Sequence, residues 1–256
     1  MTNELSIDML KAENTAAKII EEYGITEPEH IRVRDIAFTL KATVVEKALK
    51  RAAASIVKVG EYSTIRISPF DNKERKRFSI AHELGHLVLE HVHSLKKVCS
   101  DSDMMSWYSD TQETQANFFA SELILPKKLV EKRCDVKRVN LEPVRKIAKD
   151  FRASLTATAI KFVRLSPEQC AVVLSTDGKI KWSYRSEDWQ PFIRKGKPLD
   201  PGTAAYDFFR NIEIPDEPIG VDGEVWVEND NVDLIIEHSF GAKEYGFVLS
   251  ILWIKP

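Results

Sequence analysis

Along residues 7–23 the apolar positions Ile7, Leu10, Ala16, Ala17, Ile19, Ile20 and Tyr23 recur at a mostly helical spacing, and Gly24 closes the run. A second helix is predicted after Pro28, through Ile31, Ile36, Ala37 and Leu40. The pattern then shortens. Residues 42–45, 55–59 and 63–67 are rich in β-branched side chains and read as strands, with Gly60 marking a turn between the last two. From Asp71 a helical period returns, with Phe78, Ala81, Leu84, Gly85, Val88 and Leu89 spaced so that one side packs and another stays free. Residues 94–109 are polar and irregular and read as a loop, and a further helix is predicted over 111–125, where Pro126 ends or bends it.

Two amphipathic stretches follow, Leu141–Phe151 and Leu155–Leu165, with the length and separation of a helix-turn-helix. Beyond Cys170 the sequence predicts strands over 171–174 and 179–184 around the turn Thr176-Asp177-Gly178, a helix over Ala204–Phe209, and strands over 232–236 and 247–254. These last ninety or so residues should form a small α+β unit. Neither an internal repeat nor a low-complexity tract is present.

The 256 residues are 43% hydrophobic and 30% charged, an ordinary globular mix that suits a principal domain with smaller attachments. No stretch has the roughly 18 consecutive apolar residues of a membrane span, and Glu4, Asp8 and Lys11 interrupt any amino-terminal signal, so a cytoplasmic protein is expected. Cys99, Cys134 and Cys170 are odd in number and far apart, as reduced thiols would be. The net charge of -2 conceals an imbalance. Residues 127–164 carry twelve Lys or Arg against four Asp or Glu, whereas residues 200–256 carry three against twelve. A basic helix pair can contact DNA phosphates, but a solvated face, or one attracted to the acidic carboxy-terminal region, is the preferred reading.

The chemistry lies in His82-Glu83-Leu84-Gly85-His86, inside a predicted helix. A spacing of four puts both imidazoles on one face, one turn apart, so that two nitrogens can converge on one ion. Glu83 is placed to take a proton from water at that ion rather than to ligate it. Glu113 and Asn117 repeat the spacing of four on the next predicted helix, offering a third ligand and a carboxamide to hydrogen-bond a ligand histidine or steady the loop.

The sequences RFSIAHELGHLVLEH (residues 77–91) and ETQANFFASELILP (residues 113–126) resemble those of the ImmA/IrrE family of metallopeptidases. The resemblance implies an α+β fold. The expected organisation is a zincin-like metallopeptidase domain with a small sheet (residues 1–135) and a helix-turn-helix-like helix pair (136–165), the resemblance covering about residues 10–165, followed by a carboxy-terminal α+β domain (166–256) that serves either in sensing or regulation or as a passive stabilising domain. The resemblance also implies one zinc ion, or another divalent ion, held by His82, His86 and Glu113, with Glu83 as catalytic base. The implied partner is a protein substrate, a helix-turn-helix transcriptional repressor in a stress-response or mobile-element circuit. The alternative is a catalytically silent zinc-fold regulator or toxin-antitoxin partner acting by protein or DNA binding.

Other residues compete less well. Glu90 would put three ligands on one helix, too far apart along its axis to meet at an ion. His91 and His93 miss the extended HExxHxxGxxH pattern, because Leu89 and Val92 hold its Gly and His positions, and are read as surface residues or supports for a ligand. Glu122 is expected to be a solvated acid pointing away from the metal. Tyr108, with Trp107 beside it, is a candidate for lining the cleft and steadying an oxyanion, although loop packing is the plainer reading.

Overall fold

The computed structural model describes residues 7–48, 54–91, 97–99, 112–228 and 232–255. The chain runs α1 (Ile7–Glu22), α2 (Val33–Thr39), β1 (Ala42–Glu46), β2 (Ala54–Val59), β3 (Tyr62–Ile67), α3 (Lys73–Val88), β4 (Lys97–Cys99), α4 (Gln112–Ile124), α5 (Lys127–Cys134), α6 (Leu141–Phe151) and α7 (Leu155–Leu165). Then come β5 (Cys170–Thr176), β6 (Lys179–Arg185), α8 (Ala204–Phe209), β7 (Ile219–Asp222), β8 (Leu234–Ala242) and β9 (Phe247–Trp253). It is an α+β fold with two sheets, as expected. The chain divides into two compact units, Met1–Leu129 with Lys149–Ser154, and Val130–Ala148 with Leu155–Pro256.

The first unit is built to bury two helices. Its sheet has the order β1-β3-β2-β4, with β1 parallel to β3 and the other pairs antiparallel. Ile56, Ile65 and Ile67 are fully buried, and α3 packs on β2 and β3. Asn72 starts α3 by accepting the Arg75 amide at 2.8 Å, which satisfies one of the donors a helix start leaves open. Further along, Arg77 donates to the Ile31 carbonyl at 3.0 Å and ties the helix to the segment before α2. α4 lies against both α1 and α3 and is buried along nearly its whole length, from Thr114 to Ile124.

Pro126 does end α4, and α5 begins at the next residue. Glu122 corrects an expectation here. It is buried, not solvated, and its carboxylate accepts the Lys127 amide at 2.9 Å, so the acid stabilises the start of the following helix.

The second unit holds an antiparallel sheet of order β6-β5-β9-β8-β7. Its central strands β5 and β9 are buried on both faces. Ala171, Val173, Val248 and Leu252 pack with Trp189, Trp226 and Ala205 on the side of α8. On that side the buried Glu237 accepts hydrogen bonds from the Ala204 and Ala205 amides at the start of α8, from Trp226 Nε1 and from Ser239 Oγ. Burial nevertheless holds its carboxyl above the usual carboxylate range. α7 packs on β5 and β6, and residues 158–163 are buried, which turns its central turns inward rather than toward a DNA groove. Cys134 and Cys170 are free, buried thiols pushed up by burial to about 12 and about 11, which suppresses the thiolate forms that ligate metal or attack as nucleophiles.

At the start of α6, His238 of β8 accepts the Leu141 amide at its Nδ1, 3.2 Å away, a role that requires an unprotonated ring nitrogen. Burial first, and the nearby Arg145 guanidinium second, hold this imidazole below its ordinary range. Because the folded form resists the proton more than the unfolded form does, the stability this group contributes is present above the ordinary histidine range and is lost as pH falls through it. Thermal melts from pH 7.5 to 5 should therefore fall more steeply for the wild-type protein than for His238→Gln, whose amide oxygen can accept the same bond at any pH. Identical slopes would contradict this.

Candidate metal centre

α3 and α4 come together where side chains are smallest. A side chain at Gly85 would meet the Ala116 Cα at 3.0 Å, the Ala116 carbonyl oxygen at 3.2 Å and the Phe119 ring at 3.2 Å, so the two backbones can approach closely only because position 85 is glycine. The approach brings the polar faces of both helices into one place. His82 and His86 are completely buried, and the Glu113 side chain keeps 22% of its exposure.

Three donor atoms meet there. His82 Nε2 and His86 Nε2 are 3.1 Å apart, and Glu113 Oε2 lies 3.2 Å from the first and 3.3 Å from the second. Donors held about 2.0–2.1 Å from a tetrahedral ion stand roughly 3.3 Å from one another. The observed triangle therefore has the size of one face of such a coordination sphere.

Hydrogen bonding on the far side of each ring fits the same use. His82 Nδ1 is 2.9 Å from Asn117 Oδ1; an amide oxygen only accepts, so the ring proton sits on Nδ1 and the Nε2 lone pair faces the triangle. His86 Nδ1 is 3.1 Å from His91 Nδ1, and His91 Nε2 is 2.9 Å from Gln115 Oε1. Without a cation, a carboxylate oxygen and two bare imidazole nitrogens at these separations repel one another. The residues present thus fit a divalent ion, and His82, His86 and Glu113 are the group among the described residues able to hold one.

A profile of the Peptidase_M78 family, described as the IrrE N-terminal-like domain, matches residues 31–162, more than half of the chain. The chain belongs to this family. The match takes in both helices of the triangle and agrees with the resemblance seen in the two motifs. A solved Mycobacterium tuberculosis transcriptional regulator superposes with a TM-score of 0.61 over 95% of this chain and 76% of that chain; at 13% identity the likeness is one of fold. No curated protein matches the sequence. Membership of the Peptidase_M78 family makes metallopeptidase chemistry the expected use of the triangle.

The expected residues fall as follows. His82, His86 and Glu113 are brought together, Asn117 supports His82, and Glu83 is fully buried on α3 between the two histidines in sequence. Glu90 stands outside the triangle and is exposed. Tyr108, Trp107 and His93 lie outside the described residues. His91 takes the supporting role, and Gln115, which the motif spacing did not single out, stands behind it. A signal for Gln115 was available only in its closeness to Glu113 along the chain.

Gly85→Ala tests the close approach of the helices. Helix propensity favours alanine by roughly 1 kcal/mol, but forcing a methyl against helical backbone at this distance costs about 1–3 kcal/mol. The variant should be the less stable in denaturant titrations and should retain less divalent metal after purification. A more stable variant with full metal content would show that the helices have room to spare.

Proposed function

We propose that the protein is a cytoplasmic zinc-dependent endopeptidase, with His82, His86 and Glu113 as metal ligands and Glu83 as the general base. The observation that carries this reading is the triangle of Nε2, Nε2 and Oε2 atoms, two of them on the helix that also bears Glu83 and the third on α4. In this reading residues 1–135 carry the hydrolytic centre, 136–165 a helix-turn-helix-like helix pair, and 166–256 a sensing or regulatory domain. The absence of any helix long and apolar enough to cross a membrane, among the described residues, agrees with action in the cytoplasm.

A zinc ion bound there would acidify water and polarise a peptide carbonyl. Glu83 takes the proton of the attacking water and hands it to the departing amine, so the carboxylate is restored at the end of the cycle. Burial of Glu83 keeps bulk water from competing for that proton. Asn117 holds His82 in the tautomer that offers Nε2, and Glu113, the most exposed of the three ligands, supplies the negative charge of the donor set.

The substrate class is a helix-turn-helix transcriptional repressor. Family membership supports this assignment, and the solved structural relative is itself described as a transcriptional regulator. DNA contact by the chain itself is the weaker reading, given the buried centre of α7.

Glu83→Gln separates catalysis from metal binding because it removes the base and leaves the three ligands. Incubation with a helix-turn-helix transcriptional repressor as substrate should show cleavage by the wild-type protein and a loss of about 10²–10⁴-fold in the variant, with metal content unchanged by elemental analysis. Biological activity that persists in the variant without cleavage would favour a silent binding module instead.

A further inference from the structure

The hydrogen bonds behind His86 form a chain whose direction decides whether that residue can ligate. Gln115 Oε1 lies 2.9 Å from His91 Nε2, and the other nitrogen of His91, Nδ1, lies 3.1 Å from His86 Nδ1. An amide oxygen has no proton to give, so His91 carries its proton on Nε2 and donates it to Gln115. His91 Nδ1 then holds a lone pair. The only proton that can fill the His91–His86 contact is the one on His86 Nδ1, which leaves His86 Nε2 bare and aimed at Glu113 Oε2 and His82 Nε2. Reversing the Gln115 amide reverses every step and puts a proton on His86 Nε2, where it blocks coordination.

We infer that His91 and Gln115 are positioning residues that lock His86 into its metal-binding tautomer. The inference rests on the assignment of His86 as a metal ligand and goes beyond it, because neither residue supplies a vertex of the triangle.

The backbone is shaped to deliver His91 to this place. A residue five positions after His86 would lie well off the line of that histidine on a continuing helix, since five residues make 1.4 turns. Instead α3 stops. The Glu90 amide bonds to the Leu87 carbonyl at 3.3 Å, and the His91 amide bonds to the His86 carbonyl at 2.9 Å. This is the paired closure of a helix whose next residue is left-handed. Glu90 is that residue, with φ 58°. Glycine is the usual occupant, and a β-carbon there costs about 1–3 kcal/mol. The turn folds the chain back so that the His91 ring meets the edge of the His86 ring with centroids 5.3 Å apart.

α4 thereby governs all three vertices. Glu113 supplies one directly, Asn117 fixes the proton of His82, and Gln115 fixes that of His86 through His91. The sequence Glu113-Thr114-Gln115-Ala116-Asn117 places these three polar groups at every second position of the first turns.

Two substitutions at each position separate hydrogen bonding from packing. His91→Phe keeps a ring against His86 but has no acceptor, whereas His91→Gln retains an amide oxygen. Gln115→Met keeps length without polarity, whereas Gln115→Glu can only accept. Zinc affinity, measured in the full chain by competition with a chromogenic chelator, should fall about 10–100-fold in His91→Phe and Gln115→Met. His91→Gln should recover most of the loss, and Gln115→Glu should bind at least as tightly as wild type.

Long-range proton–nitrogen NMR spectra of the metal-free protein give a second readout that packing alone does not move. The wild-type protein should show His86 protonated on Nδ1, and His91→Phe should show a mixture of tautomers. Wild-type zinc affinity together with an unchanged His86 tautomer in His91→Phe would overturn the inference, as would equal losses in His91→Phe and His91→Gln. Failure of the wild-type protein itself to bind zinc would overturn the assignment of the ligands and this inference with it. Tight wild-type binding that the four variants preserve would overturn this inference alone.

Discussion

Two imidazole nitrogens and a carboxylate oxygen, each a little over 3 Å from the other two, make an arrangement that one shared cation stabilises. Two of the three groups belong to fully buried residues, where charge and lone-pair interactions are poorly screened. Hydrogen bonds donated to Asn117 and His91 hold the rings in this mutual orientation. The surrounding fold can be understood as what is needed to keep that orientation in place. α3 is seated on the sheet through β2 and β3, α4 is held between α1 and α3, and the glycine at position 85 lets the two helices close.

The two helices contribute differently. α3 brings the histidines and the carboxylate of Glu83, all on one rigid element whose start is fixed by Asn72 and whose end is turned back at Glu90. α4 brings one ligand and the groups that set the protonation of the other two. Metal affinity and helix packing therefore depend on each other: a shift of α4 relative to α3 would move Glu113 and loosen both ring contacts together. This coupling is why a small residue at the crossing bears on metal binding as well as on packing.

Much of this was legible in the sequence. The long helices announced themselves by periodicity, and the histidine pair and the Glu113–Asn117 pair by a spacing of four. What escaped was hidden for physical reasons. α5 is Lys- and Arg-rich and buries only Val130 and Cys134, so it offered no apolar stripe. β8 was expected over 232–236 but runs Leu234–Ala242, because its continuation contains Glu237, His238, Ser239 and Gly241. The first three are buried polar residues with partners outside the strand, the Ala204 and Ala205 amides, the Leu141 amide and Ser250, and the last is glycine because the Phe208 ring fills the space a side chain would need. Glu122 misled for the same reason: its partner is a helix amide created by the proline turn. His91 could not be placed by helical spacing, since its position depends on a left-handed residue that the sequence marks with glutamate rather than glycine.

X-ray absorption fine structure of the zinc-loaded protein tests the central claim most directly. It should show two imidazole nitrogens and the remainder oxygen at about 2.0–2.1 Å, with the outer-ring scattering typical of histidine and no sulfur. A sulfur neighbour near 2.3 Å, or a first sphere of oxygen alone, would contradict a centre built from His82, His86 and Glu113.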